Sequence, residues 1–313
     1  MKPKSITVFA PATIANLSCG FDVLGLALDG VGDLMTLELT QEPGVRISRI
    51  TGIELPLEAS SNVAGVAAMA LLEASAYMGG VDIAIEKRIK PGSGIGSSAA
   101  SSAGAVWALN RLLGEPFEPQ ELVFFAMKGE ELASGASHAD NVAPALYGGI
   151  TLVRSYEPLD IARVHCPPAL HACVLHPQIE LKTSDARKVL KTSISLQKGI
   201  RQWGNVGGLI TGLFTEDFGL ISRSLEDVII EPVRSLLIPG FADMRKAALE
   251  AGALGFGISG SGPSVYALTQ GKQAAGVVAK ALSDVYSAVD IPFDIHVCGI
   301  NRDGVRVHPS NRP

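Results

Sequence analysis

KPGSGIGSSAASSAG, residues 90–104, sets three glycines at alternate positions ahead of a run of serine and alanine, with no charge after Lys90. Residues this small make poor core, so something other than packing is expected to want the backbone bare. A helix start leaves amide N–H groups unpaired and carries a partial positive charge. Glycines let the chain fold closely round an anion, and the combination makes a phosphate cradle. The competing reading is a flexible loop leading into a small-residue helix. The stretch is not a Walker loop, because no GxxxxGK[ST] occurs in the chain.

The flanks define its place in the fold. VDIAIEKRIK (81–90) alternates, with Val81, Ile83 and Ile85 on the inward face of a strand. SAASSAGAVWALNRLL (98–113) puts Ala99, Ala103, Val106 and Trp107 on one helical face. The loop therefore joins a strand to a helix, with Ser97 and Ser98 near the helix start. Further strands are expected at 6–10, 33–39, 45–50 and 148–154, and helices at 61–78 and 119–134. A polar loop covers 135–141. A Pro-containing segment, CPPA (166–169), marks the neighbourhood of a boundary, which divides the chain into domains 1–160 and 161–313. The second half reads as strands at 171–176 and 293–298, and helices at 184–191, 198–213, 241–251 and 272–286. A second glycine-rich turn spans 255–262, with a strand after it. Strands and helices mix without regular βαβα alternation, which predicts an α+β fold in two halves.

Bulk properties narrow the function. The 313 residues carry a net charge of −5 and no basic stripe, against a nucleic-acid binder. Four cysteines (Cys19, Cys166, Cys173, Cys298) lie far apart with no CxxC, against a disulfide framework or metal knuckle. The apolar run near the N-terminus stops at Pro11, too short for a signal, and no window is apolar enough to span a membrane. A cytoplasmic location is expected.

Other motifs fall away. Gly255 to Gly260 matches GxGxxG, but a helix precedes it, a strand follows, and Lys280 stands where a dinucleotide site needs an acid. HExxH and GxSxG are absent.

PATIANLSCGFDVLG (11–25), PGSGIGSSAAS (91–101) and GALGFGISGSGPSVYAL (252–268) together resemble the three motifs of the GHMP small-molecule kinases, in the family's order. HADNVAPALYGG (138–149), TSDARKVL (183–190) and EDVIIEPVR (226–234) resemble the branch that phosphorylates the side-chain hydroxyl of L-homoserine. The resemblance implies an N-terminal domain like ribosomal protein S5 and a ferredoxin-like C-terminal domain. It implies ATP and Mg²⁺ as cofactors and allows a homodimer. By the same resemblance, Pro91, Gly92, Ser93, Gly94, Ile95, Gly96, Ser97, Ser98, Ala99, Ala100 and Ser101 would wrap the ATP phosphates. Asn62 and Val63 would lie by the base, and Ser98 and Glu130 would hold Mg²⁺. Asn16, Asp22, His138, Asp140, Asn141 and Thr183 would surround the amino acid, and Arg187 and Arg234 would clamp its carboxylate. Ser18-Cys19 stands where the family often has Gly-Pro.

Elementary chemistry agrees with that substrate. A zwitterion with a hydroxyl needs an anion for its ammonium, which Asp22 supplies. It needs paired donors for its carboxylate, and two guanidinium forks suit that geometry. Some family members have an aspartate near the hydroxyl, where this chain has Asn141, a poor base. Phosphoryl transfer asks mainly for alignment and charge neutralisation, so direct in-line attack without a base is expected, with Asn141, Ser98 and Glu130 as the catalytic groups. The alternatives are a family member acting on mevalonate or a sugar, a non-catalytic nucleotide sensor, and a nicotinamide oxidoreductase built on the second glycine turn.

Overall fold

A computed structural model describes residues 4–135, 137–181 and 183–309, apart from the side chains of Ser134, Thr183 and Ser184. The first half builds β1 (Ser5–Ala15), β2 (Leu24–Thr40), β3 (Gly44–Thr51), α1 (Val63–Ala74), β4 (Gly80–Glu86), α2 (Ser97–Leu113), α3 (Pro119–Ser134), α4 (Val142–Tyr147), β5 (Ile150–Tyr156) and β6 (Leu159–Val164). The alternating segments became strands because one face could be buried. Val81, Ile83 and Ile85 of β4 are buried, as are Met35 and Leu37 of β2, which lie across from them in the register Met35↔Ile85 and Leu37↔Ile83.

The second half adds β7 (Leu170–Pro177), α5 (Thr183–Lys188), α6 (Leu196–Thr215), α7 (Phe218–Ser224), α8 (Glu231–Arg234), α9 (Phe241–Glu250), β8 (Gly255–Ile258), β9 (Val265–Gln270), α10 (Lys272–Tyr286), β10 (Phe293–Gly299) and β11 (Arg306–Val307). Among the described residues the first sheet runs β11-β1-β2-β4-β3, with β5 and β6 attached through β2, and the second runs β10-β7-β9-β8. The α+β expectation therefore stands. A domain cut at 160 would split β6, which pairs with β5 along its length. β6 ends at Val164 and β7, in the second sheet, begins at Leu170. The chain then crosses back, since β11 pairs with β1.

Two expectations need correction. The glycine turn at 255–262 begins with strand β8, which pairs with β9. The small residues after the phosphate loop are core after all. Ala99, Ala100, Ala103, Ala105 and Ala108 are fully buried. They are small because α2 lies hard against its neighbours. A Cβ on Gly104 would come within 2.5 Å of Met35 Sδ, and one on Gly129 of α3 within 2.3 Å of Ser102 Oγ. Close approach of elements, rather than ligand binding, selects this part of the run.

Candidate active site

A cleft of about 490 Å³ lies between the two sheets' domains, lined by residues from Asn16 to Ser261. Its first wall is the loop between β4 and α2. Gly92, Gly94 and Gly96 all have positive φ, of 72°, 83° and 69°. Two of them also have no room for a side chain. A Cβ on Gly96 would fall 2.0 Å from Thr13 Oγ1, and one on Gly94 2.5 Å from the Gly262 carbonyl. The loop is thus pinned between β1 and the second glycine turn, where Ser259 Oγ donates to the Gly94 carbonyl at 2.8 Å. Among the described residues, the amides of Gly94, Ile95 and Gly96 donate to no protein acceptor. Free amides at the mouth of a seventeen-residue helix are the donor set an anion needs.

Of the residues expected on the phosphates, Pro91, Gly92, Gly94, Gly96, Ser97, Ser98 and Ser101 line the cleft. Ser93, Ile95, Ala99 and Ala100 do not; their side chains are buried. Asn62 and Val63 line the cleft too. The Asn62 side chain is already committed, because its Oδ1 caps α1 by accepting from Ala64 N and Gly65 N and its Nδ2 donates to the Pro56 carbonyl. Ser98 Oγ donates to Glu130 Oε2 at 3.1 Å. A hydroxyl beside a carboxylate is an oxygen set of the hard kind that suits Mg²⁺, which commonly takes few protein ligands and completes its shell from phosphate and water.

The other end of the cleft is made of charge. Asp22 pairs with Arg187, whose Nη2 lies 3.0 Å from Oδ1. The same Nη2 lies 2.9 Å from His138 Nε2. A guanidinium only donates, so Nε2 accepts and that imidazole is neutral. Burial and the two arginines depress its pKa, against the pull of Asp22. Arg234 is only 3% exposed. It donates to the Ala186 and Gly260 carbonyls, at 3.1 Å each, and stacks over Phe21 with 5.0 Å to the ring centroid. Among the described residues it makes no ion pair. Its Nη2 donates to no acceptor among the described residues, which leaves a guanidinium donor for a carboxylate. Asn16, Asp140 and Asn141 complete this end, while for Thr183 the expected contact lies outside the described side chains.

Asp140 is fully enclosed. Burial first, then the nearby carboxylates of Asp22 and Glu130, push its carboxyl up to about 7. Its buried Oδ1 has no partner among the described residues. Burial likewise raises Glu130 to about 7, against the pull of Ser98 and Lys87.

Comparison with known proteins fits this geometry to a family. The family model for the GHMP kinases N terminal domain matches residues 62–149, and that for GHMP kinases C terminal matches 209–288. The homoserine kinase of Chloroherpeton thalassium is 45% identical over 97% of this chain and 99% of its own length. The chain belongs to the GHMP kinases. A crystal structure of homoserine kinase from Cytophaga hutchinsonii superposes on this kinase with a TM-score of 0.95 at 49% identity, covering 98% of each chain. At 17% identity, the mevalonate kinase of L. major in complex with R-mevalonate shares the fold alone, with a TM-score of 0.70 and 94% of this chain covered.

The structure of this kinase also brings forward residues the sequence reading missed. Lys87 is buried under the phosphate loop. Its Nζ pairs with Asp33 and donates to the Ser97 carbonyl at 3.0 Å and Ser101 Oγ at 3.1 Å. Asp33 in turn accepts from the amides of Arg88 and Ile89, at 2.8 and 3.0 Å. Burial lowers the lysine's pKa and Asp33 opposes that. A signal existed. Extending the inward alternation of β2 back from Met35 reaches Asp33, and that of β4 forward from Ile85 reaches Lys87. Two opposite charges on one buried face call for each other. Thr13, whose Oγ1 donates to Asn141 Oδ1 at 2.7 Å, ties Asn141 to the loop, since the same oxygen crowds Gly96. Tyr156 ties Asp22 to the 138–141 segment, donating to the Asp22 carbonyl at 2.9 Å and accepting from Ala139 N at 3.3 Å. The Thr13–Asn141 and Tyr156–Asp22 pairings each span more than a hundred residues and carry no periodic signature.

Proposed function

We propose that this kinase transfers the γ-phosphoryl group of ATP to the side-chain hydroxyl of L-homoserine, giving O-phospho-L-homoserine, with Mg²⁺. The observation that carries the reading is Arg234, a buried guanidinium with no ion pair among the described residues, set with Asp22 and Arg187 at one end of a cleft whose other end is the glycine loop. One end offers what an amino acid's charged groups require and the other what a phosphate requires. Mevalonate has a carboxylate but no ammonium, and would bring no cation to Asp22. The names of the relatives support the same substrate.

Ser98 and Glu130 would hold the metal, which would neutralise charge developing on the phosphates. The loop amides from Gly94 to Gly96 would grip the triphosphate and aim its terminal unit at the hydroxyl. Asn141 has its Oδ1 engaged by Thr13, so it offers an N–H donor that can orient the hydroxyl and cannot take its proton. That supports direct in-line attack with the proton leaving late. Asp140 favours a second reading. A carboxyl raised to about 7 with an open oxygen is suited to accept a proton at neutral pH. The two readings separate on Asp140→Asn and His138→Gln. Direct attack predicts that both variants lose mainly homoserine affinity. A fall in kcat of orders of magnitude with affinity intact assigns a base. The function itself is tested by phosphate transfer to L-homoserine against L-serine, L-threonine and mevalonate, with and without magnesium. Preference for any of the other three would overturn it.

A further inference from the structure

The loop that carries Asp22 is held in an unfavourable shape. Asn16, Leu17, Ser18 and Asp22 all have positive φ, of 76°, 42°, 59° and 59°, a region that side-chain-bearing residues enter only under constraint. The constraint comes from the C-terminal half of the chain. Asn16 Nδ2 donates to the Gly260 carbonyl at 2.8 Å, and Ser18 Oγ lies 2.8 Å from Tyr266 Oη. The third tie is Gln202 of α6, buried and not among the residues lining the cleft, whose Nε2 donates to the Cys19 carbonyl at 2.9 Å.

Gln202 does not stop there. Its Nε2 also donates to Asp227 Oδ1 at 3.0 Å, and its Oε1 accepts from Val228 N at 3.1 Å. Asp227 is buried too, and it winds the chain that follows. Its Oδ1 accepts from Ile229 N at 2.8 Å and Ile230 N at 3.0 Å, and its Oδ2 accepts from Glu231 N at 2.9 Å. Those amides lead directly into α8, whose last residue is Arg234. One amide side chain thus joins the wall bearing Asp22 to the wall bearing Arg234. Only an amide offers two donors and an acceptor in one plane. Glutamate would set two carboxylates side by side, and leucine would leave the Cys19 carbonyl without its donor.

We propose that Gln202 and Asp227 are positioning residues that fix the separation of Asp22 and Arg234, and so the match of the cleft to the ammonium and carboxylate of the amino acid. This rests on the homoserine reading above. Gln202→Leu and Asp227→Asn test it, with thermal melts to establish that each is folded. Each variant is expected to raise KM for L-homoserine about tenfold and to leave KM for ATP within about twofold. The preference for L-homoserine over its primary amide, measured as a ratio of kcat/KM values, should fall in the same variants. A merely structural defect would lower activity on both acceptors alike. The double variant should be little worse than the weaker single, because the two residues act as a unit. Homoserine and ATP constants that rise together, an unchanged acid-to-amide ratio, or no change at all would overturn the inference alone. A wild-type chain inert on homoserine would overturn the substrate reading, and the inference with it.

Discussion

At one end of the cleft the walls are backbone, drawn from the single stretch Pro91 to Ser98; at the other they are side chains drawn from residues as far apart as Asn16 and Arg234. The first end works through glycine geometry and unpaired amides, and Lys87 beside it is buried and paired with Asp33. The second works through formal charge, with Asp22 and Arg187 paired and Arg234 without an ion pair among the described residues. The contrast follows from the ligands each end is proposed to hold. A triphosphate has many equivalent oxygens, and a curved row of amides can grip any of them. An amino acid has one cation and one anion at fixed spacing, and only placed charges can tell it from other alcohols.

If the two ends are separable, variants should divide between the two substrates. The largest effect is expected for Arg234→Lys, which keeps charge but loses the fork that donates to Ala186 and Gly260. It should cut kcat/KM for L-homoserine by about a hundredfold or more, with KM for ATP nearly unchanged; steady-state kinetics in both substrates would show it. Equal losses in both would mean the ends are one unit. Next comes Glu130→Gln, expected to cost about thirtyfold and to raise the magnesium needed for half-maximal rate, while Glu131→Gln stays near wild type. Matching effects in the two variants would remove Glu130 from the metal. Gly94→Ala is expected to raise KM for ATP about tenfold, since the new Cβ would meet the Gly262 carbonyl at a φ of 83°. Isothermal titration with a non-hydrolysable ATP analogue would measure it directly.

The smallest effect concerns stability. The Asp140 carboxyl is raised from its ordinary 3.8 to about 7, so the fold holds its proton more tightly than the unfolded chain does. Its contribution is complete below about 3.8 and is lost as pH rises towards about 7. Asp140→Asn removes that loss. It should raise Tm by about 2 °C or more at pH 8, and by less at pH 5. A gain independent of pH would rule out burial as the cause.

How much of this the sequence disclosed follows the same division. The phosphate end was legible because its parts are contiguous. Alternate glycines, the strand period of Val81, Ile83 and Ile85, and the serines at 97 and 98 all lie within twenty residues, and α2 begins at Ser97. The charged end was legible only through resemblance, because nothing local marks Arg187 or Arg234 as different from any surface arginine. The elements missed were α4, α7, α8, β6, β8 and β11. All of them but α7 are six residues or fewer, shorter than the window in which a period can be counted. The chain entering helix α8 is wound on Asp227, which is bonded by Gln202, twenty-five residues earlier. Ser18 shows the same limit. It stands at a φ of 59° that a glycine would take without strain, and the hydroxyl that holds it there meets Tyr266, 248 residues away.

Strand β11 has a consequence for how the molecule is made. β1 is synthesised long before Arg306 and Val307, yet those residues cover its outer edge, together with the bond from His308 N to the Thr7 carbonyl. Until they are made, that edge stays open to any neighbouring nascent chain, the usual invitation to aggregation. A late frameshift that spares every residue of the cleft would still leave the first sheet unsealed.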